Sequence, residues 1–448
     1  MTVIGAKNLT VTSNQIFQDM FEPTGFVERN DSTISFDNST RFFTISPVSA
    51  SYEVYIGGQK ITISSSLSIQ IPNISGTYFF YIDTNGSLQY MTTFDISLIK
   101  SLAYISNVYW NATAGYNVVF AEERHGIVMD GDTHRNLHTT RGCQYVSGAD
   151  ISYVIGNGSL NSHMNIGMTG SRIADEDIVI DIIDDPTPTA KFEQILSPVS
   201  YLPIWHRLGA TEWYKTTATQ FPLIQGTSRA KYNSFNGSVW SLVDAPSNNK
   251  VLVTYVFATT NLSEPVVGIL GQTQYQNLVE ARELAVWKNI NFGFMPAQEM
   301  KLLYVIYYET STTYGNTPKS RIVGIDDLRL AQDRQTGIIA GSANSVFPGL
   351  NKYTAIIPAG TTVDIDSMLL TNFIAAEYTM AFLNGTNVRV NRMLIEKSNS
   401  QVTDQIYGRS GFNFDLTVQS IVSSPDFKLR VHNFESFDLE VRFTKNVI

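Results

Sequence analysis

The stretch Tyr52-Glu-Val-Tyr-Ile-Gly57-Gly58-Gln-Lys-Ile-Thr-Ile63 decides how the rest of the chain is read. Tyr52, Val54 and Ile56 alternate with polar residues, and Ile61 and Ile63 resume the alternation after the two glycines. Alternation puts every second side chain on one face of a strand. Two such runs joined by Gly-Gly predict a tight hairpin, because primed turns need positive φ.

The same grammar recurs outward from this stretch. Tyr78–Ile82 and Leu88–Met91 flank Asn85-Gly86, and Leu102–Trp110 and Tyr116–Ala121 flank Asn111–Gly115. Residues 42–124 therefore read as a small antiparallel β domain, preceded by a polar arm or attachment segment over 1–41. Residues 125–145 break the rhythm and predict a helical connector, capped by Asp132, starting at Thr133 and stopped by Gly142. In residues 146–344 the β pattern returns: Ile178, Ile180 and Ile182 alternate, and Asn236-Gly237 separates two strand-like runs. Val251–Ala258 is rich in β-branched and aromatic residues, as a buried strand requires. One inserted helix is expected over 274–288. Thr273-Gln-Tyr-Gln276 reads as its capping box, and Tyr275, Leu278, Ala281 and Ala285 follow at helical spacing. A turn-rich joint over 341–352 leads into residues 345–448, where Asn384-Gly385 marks a hairpin among many strand-like runs. The expected fold is mainly β: tandem antiparallel β-sandwich or jelly-roll-like domains with a short connector helix and one inserted helix.

Composition narrows the function. At 448 residues the chain holds roughly two to four domains. Only 16% of residues are charged and 12% are aromatic, which suits half-buried pleated surfaces and a protein that hides surface against partners. The net charge of −9 comes without any Lys/Arg-rich run, so a nucleic-acid partner is not expected. The first residues, MTVIGAKNLTVTSN, lack the apolar core of a secretory signal, and no apolar run is long enough to predict a membrane span. The single cysteine, Cys143, rules out an internal disulfide framework.

Five groups of residues invite a chemical reading. His125, Asp130, Asp132, His134 and His138 form the densest cluster, with His134 and His138 four apart and so on one helix face, a spacing that can grip a metal. A metalloprotease would need Glu beside the first histidine, and Arg135 stands there. The plainer reading is a capped polar helix with satisfied histidines. Asp175, Glu176, Asp177, Asp181, Asp184 and Asp185 form an acidic patch that could hold calcium, although no EF-hand-type loop is present. Its plainer reading is the solvated face of a strand. Trp205, Trp213, Tyr214, Tyr232 and Trp240 are candidates for stacking on sugars if displayed, and for core packing if not. Cys143 and His138 are close in sequence, but no triad can be assembled around them. Asp326-Asp327-x-Arg329 reads as an ion pair or turn cap. Gly-x-Ser-x-Gly, phosphate-loop and dinucleotide-binding patterns are all missing. No enzymatic activity and no cofactor are expected.

Three segments resemble tailed-bacteriophage virion proteins of the tail-fibre and neck or tail structural group. The first lies within 102–142 and includes Val108-Tyr-Trp-Asn-Ala-Thr-Ala-Gly115, Glu122-Glu-Arg-His-Gly126, Thr133-His134 and Arg141-Gly142. The second lies within 228–310 and includes Phe235-Asn-Gly-Ser-Val-Trp240, Phe257-Ala-Thr-Thr260 and Pro296-Ala-Gln-Glu299. The third is 361–448, with Ala376-Glu-Tyr-Thr379 on a central strand. The resemblance implies a virion part assembled in the host cytoplasm: a tail fibre, collar or tail adaptor. It implies a homo-oligomer, often a trimer, that contacts other tail or neck proteins and functions in assembly or host attachment. Recognition of a host surface glycan is the main alternative, and a polysaccharide depolymerase using paired Asp/Glu is a further one.

Overall fold

The structure is a computed structural model. It describes residues 23–330 apart from 155, 294 and 296–298, and residues 352–447 apart from 371–373, 399 and 400. Most of the expected N-terminal arm and nearly all of the joint over 341–352 lie outside the described residues. The chain is mainly β, built from several antiparallel sheets with a few short helices.

The hairpin that opened the reading is present. Ile56 pairs with Gln59, and Gly57 and Gly58 fill the two-residue turn with φ of 54° and 77°. Both central residues are left-handed, as a type I′ turn requires. The β structure starts before residue 42, however. Gly25–Phe26 adds to Tyr52–Ile56, and Ser32–Asp37 pairs with Phe42–Pro47. The described end of the expected arm is thus folded into the first unit. These strands and a four-stranded sheet (Tyr116–Phe120, Ala103–Asn111, Gly76–Ile82, Leu88–Met91) enclose a core that includes Phe26, Phe43, Phe80, Ile105 and Trp110.

Two later stretches depart from the expected elements. The connector helix runs Gly131–Thr140 and is capped by Asp130, not Asp132; the Asp130 carboxylate accepts from the amides of Asp132 and Thr133. The inserted helix is shorter, Leu278–Leu284, with a short 3₁₀ turn at Trp287–Asn289. Tyr275 is instead paired with Val251 through two backbone hydrogen bonds, so the helix cannot start there. Asn277 caps it by accepting from the Glu280 amide at 3.0 Å.

The central feature is one eleven-stranded sheet. It runs from Glu212–Lys215 through Ile204–Leu208, Val266–Leu270, Lys250–Thr259, Met300–Thr310 and Ser320–Asp327. It then continues into Lys352–Ile357, Leu439–Val447, Ala375–Asn384, Asn387–Ser398 and Gln401–Gly411. Lys250–Thr259 is buried on both faces. Val251, Val253, Tyr255 and Phe257 enter one core, and Leu252, Val256 and Ala258 enter the other. A smaller sheet (Thr362–Leu369, Asp426–Asn433, Leu416–Ser423) covers the far end of the long one and closes a sandwich over Met380, Phe382, Phe427, Leu429 and Val431. The sheet crosses the 345 boundary without a break in hydrogen bonding, because Ser320–Asp327 pairs directly with Lys352–Ile357.

Candidate metal centre

Alternation along Glu122-Glu-Arg-His125 sends its side chains two ways. Glu122 and Arg124 form a buried pair at 2.5 Å, and Arg124 also donates to the carbonyls of Arg29 (2.8 Å) and Ser32 (2.6 Å). Glu123 and His125 point to the opposite side. The helix Gly131–Thr140 docks over them, and its two buried side chains are His134 and His138. A helix that buries imidazoles where aliphatic residues are usual needs partners for their nitrogens. His125 and His134 have ring centroids 4.3 Å apart, and His138 stacks on Phe94.

The carboxylates come from farther along the chain. Strands Ser171–Asp175 and Ile178–Asp184 are joined by a two-residue turn, Glu176-Asp177. Glu176 sits there at φ 46°, a left-handed conformation that glycine or asparagine usually fills. Its carboxylate is nonetheless buried, with 1% side-chain exposure. Glu299, beside strand Met300–Thr310, completes the group. His125 Nδ1 lies 2.7 Å from Asp177 Oδ1, while Asp177 Oδ2 accepts from the Gly126 amide at 2.7 Å. A Cβ at Gly126 would come within 2.8 Å of that carboxylate, so glycine is needed for the approach.

The remaining atoms face one another at distances too long for hydrogen bonds. His125 Nε2 is 3.6 Å from Glu176 Oε2 and 3.7 Å from Glu123 Oε2. His138 Nδ1 is 3.6 Å from both Glu176 Oε1 and Glu299 Oε1. Among the described residues, His134 Nε2, both nitrogens of His138, both oxygens of Asp175 and of Glu176, Glu123 Oε2 and Glu299 Oε2 are buried without a hydrogen-bond partner. Glu123 Oε1 is satisfied by Asn107 at 2.7 Å.

This crowding shifts the titration of three carboxyls and three imidazoles. Burial, with the Asp175 charge adding to it, drives Glu176 up to about 10. Burial raises Glu123 to about 8, against the pull of His125. Burial and Asp175 push Glu299 well above the usual carboxylate range. Burial disfavours the His125 cation, but the Asp177 hydrogen bond and the neighbouring Glu123, Asp175 and Glu176 carboxylates outweigh it and raise the ring. His134 is held down to about 2 by burial and by the two neighbouring imidazoles. Burial lowers His138 as well.

Of the five residues expected to bind metal, the fold brings His125, His134 and His138 together and leaves Asp130 and Asp132 outside. Asp130 is the helix cap, and Asp132 pairs with Lys100 and Arg135 on the surface. The missing carboxylates are Glu123, Asp175, Glu176 and Glu299. Glu123 could have been found from its alternation with His125; nothing local in the sequence points to Glu299. The acidic patch is not one site. Asp181 pairs with Arg172, Asp184 accepts from the Leu196 and Ser197 amides, and Asp185 caps Thr187.

The aromatic candidates are corrected by burial. Trp205, Trp213 and Trp240 are core residues; Trp213 Nε1 donates to the Phe292 carbonyl at 2.7 Å, and Arg207 lies over Trp240. Tyr214 and Tyr232 are half-buried. No sugar-stacking platform can be formed by the three tryptophans in this packing. Cys143 is buried, and burial raises its thiol well above the usual value, so it is not an activated nucleophile.

No family model and no curated protein matches the chain. Among solved structures, the tailspike protein of an Acinetobacter phage is similar over 30% of this chain, at 12% identity and a TM-score of 0.19. The similarity spans 28% of that tailspike chain.

Proposed function

We propose that this chain is a non-enzymatic structural component of a tailed-phage virion, docking on the tail or neck and assembling with copies of itself. The sequence resemblance over three segments supports the virion assignment. The observation that carries self-assembly is the free end of the long sheet. Among the described residues, Gln401–Gly411, eleven residues long, pairs on one side only, and most of its residues are exposed, Ile406 and Tyr407 among them. A long edge strand with apolar side chains is a template for another chain unless something covers it. Mass spectrometry and a density map of purified particles, from a phage whose genome encodes this chain, test the reading. The chain is expected at the tail or neck in an integral copy number, three being favoured. Its absence from the particles would overturn the assignment.

Glycan recognition is retained as a second reading, moved to a different surface. Phe412, Phe434 and Phe437 are exposed at one end of the terminal sandwich and are linked through Phe414 and the Asp415 backbone. Aromatics there can stack on sugar faces, which the buried tryptophans cannot. Binding to host polysaccharide that is lost in Phe434→Ala would support it. The depolymerase alternative finds little support. In the cleft of about 390 Å³ between Tyr153 and Phe443, the acids Asp150 and Asp327 are both bound to Arg329, each at 2.8 Å.

A further inference from the structure

We propose that the buried His/carboxylate cluster is a metal site, binding at least one divalent first-row transition ion through His125 Nε2, His134 and Glu176, with Glu123 and Asp175 beside it. This stands independently of the virion reading, because it rests on the cluster alone.

Geometry is the first argument. One ligand atom each from His125, His134 and Glu176 lies within 4.8 Å of the others, and the same holds for Glu123, His125 and Asp175. Zinc bonds of about 2.1 Å in tetrahedral array place neighbouring ligand atoms roughly 3.4 Å apart. The separations of 3.6 and 3.7 Å around His125 Nε2 are close to that edge and too long for hydrogen bonds. The separations around His125 Nε2 thus fit ligands sharing a centre, with the His134 and Asp175 atoms within 4.8 Å.

The second argument is orientation. Metal-binding histidines typically donate their other ring nitrogen to a carboxylate, which fixes the tautomer. His125 has this arrangement: Nδ1 lies 2.7 Å from Asp177, and Nε2 faces Glu176 and Glu123, so that a bound ion would replace the Nε2 proton. Asp177 is in turn held by the Gly126 amide. His134 and Asp175 are buried and end in the cluster without hydrogen-bond partners among the described residues.

Charge is the third. Glu123, Asp175, Glu176 and Glu299 are four buried carboxyls facing histidines. Lys301 is near enough to act on Cys143, and with His125 it leaves the carboxyls in excess. Without an ion, several carboxyls must hold protons to remain buried. A divalent cation offsets the charge and uses the unpartnered lone pairs. The mixed imidazole and carboxylate donors favour Zn²⁺, Mn²⁺ or Fe²⁺ over Ca²⁺ or Mg²⁺, which take oxygen ligands. Because the site is enclosed, the ion enters during folding and joins three parts of the chain: segment 122–126, the helix Gly131–Thr140 and the turn at Glu176.

The test uses untagged full-length chain from metal-supplemented medium, gel-filtered without chelator. Elemental analysis should find about one divalent transition ion per chain, or more. Asp177→Asn should weaken affinity by about 10–100-fold through His125 while the chain stays folded. Glu176→Gln should lose the ion, whereas Asp130→Asn, which keeps the cap, should retain it. Should Glu176→Gln fail to fold, wild-type chain unfolded and stripped with EDTA, freed of chelator, and refolded in graded Co²⁺ gives the same information. A ligand-field band and a rise in melting temperature, both saturating stoichiometrically, support the site. Chain refolded in the presence of Co²⁺, Zn²⁺ or Mn²⁺ that binds no ion and melts like chain refolded without metal overturns the proposal and leaves a proton-sharing network around a His125 imidazolium.

Discussion

Single residues are governed here by which side of a strand they occupy. Asp326 and Asp327 are adjacent, yet Asp327 pairs with Arg329 near the surface while Asp326 is turned inward to Arg282. His206 shows the consequence for titration. It is 5% exposed, its Nδ1 faces the Ile204 carbonyl at 3.2 Å, and burial lowers it to about 4. A histidine depressed in the folded state binds fewer protons than the unfolded chain between its two values. Its contribution is therefore complete above about pH 6.5 and is lost as pH falls through about 4, to a limit of about 3 kcal/mol. Urea titrations between pH 7 and 4 should show a steeper loss of stability for the wild type than for His206→Gln. Equal slopes would remove His206 as a source of acid sensitivity.

At the scale of elements, a short helix can be fixed by one buried side chain. The inserted helix Leu278–Leu284 carries Arg282, which donates to Asp326 at 2.8 and 3.0 Å and to the carbonyls of Ile365 and Thr354. It also lies over Tyr307, Tyr353 and Phe443. Nearby, Asp366 holds Lys445 at 2.9 Å and the Tyr378 hydroxyl at 2.6 Å. The helix is thereby tied to both the central sheet and the terminal sandwich. Arg282→Ala leaves Asp326 charged and buried, and should cost about 3–5 kcal/mol in equilibrium unfolding. Replacing both partners, Arg282→Met with Asp326→Leu, should recover most of that loss. If the double variant is as unstable as the single one, the carbonyl contacts and not the ion pair anchor the helix. By contrast, Asn277→Ala removes only a cap and should cost about 1 kcal/mol.

At the scale of the molecule, the eleven-stranded sheet makes the central and terminal units one cooperative body. Tyr109, Val118 and Val119 from the first unit enter the same core as Val253, Phe382 and Phe443. A chain cut after residue 344 would expose the edge of Ser320–Asp327 and half of that core. It should aggregate or unfold, and calorimetry of the full chain should show no separate transition for residues 345–448. An independently melting terminal domain would contradict this. At the opposite edge, Ile406→Lys should reduce self-association in sedimentation experiments while leaving the melting temperature within a few degrees of wild type.

What the sequence determined by itself is local chemistry. Gly57-Gly58 and Gly385 specified hairpins because few other residues accept left-handed turn positions, and alternation such as Ile178, Ile180 and Ile182 specified strands with one buried face. The pairing of His134 with His138 was visible because helical spacing is fixed. What only the tertiary structure decided is long-range partnership. Strand order across residue 345, the burial of Trp205, Trp213 and Trp240, and the meeting of Glu123, Asp175, Glu176 and Glu299 around the histidines depend on contacts between distant segments. A turn is closed by its own few atoms, so its residues reveal it. A buried cluster is closed by whichever strands the sheet brings together, and no single segment carries that information.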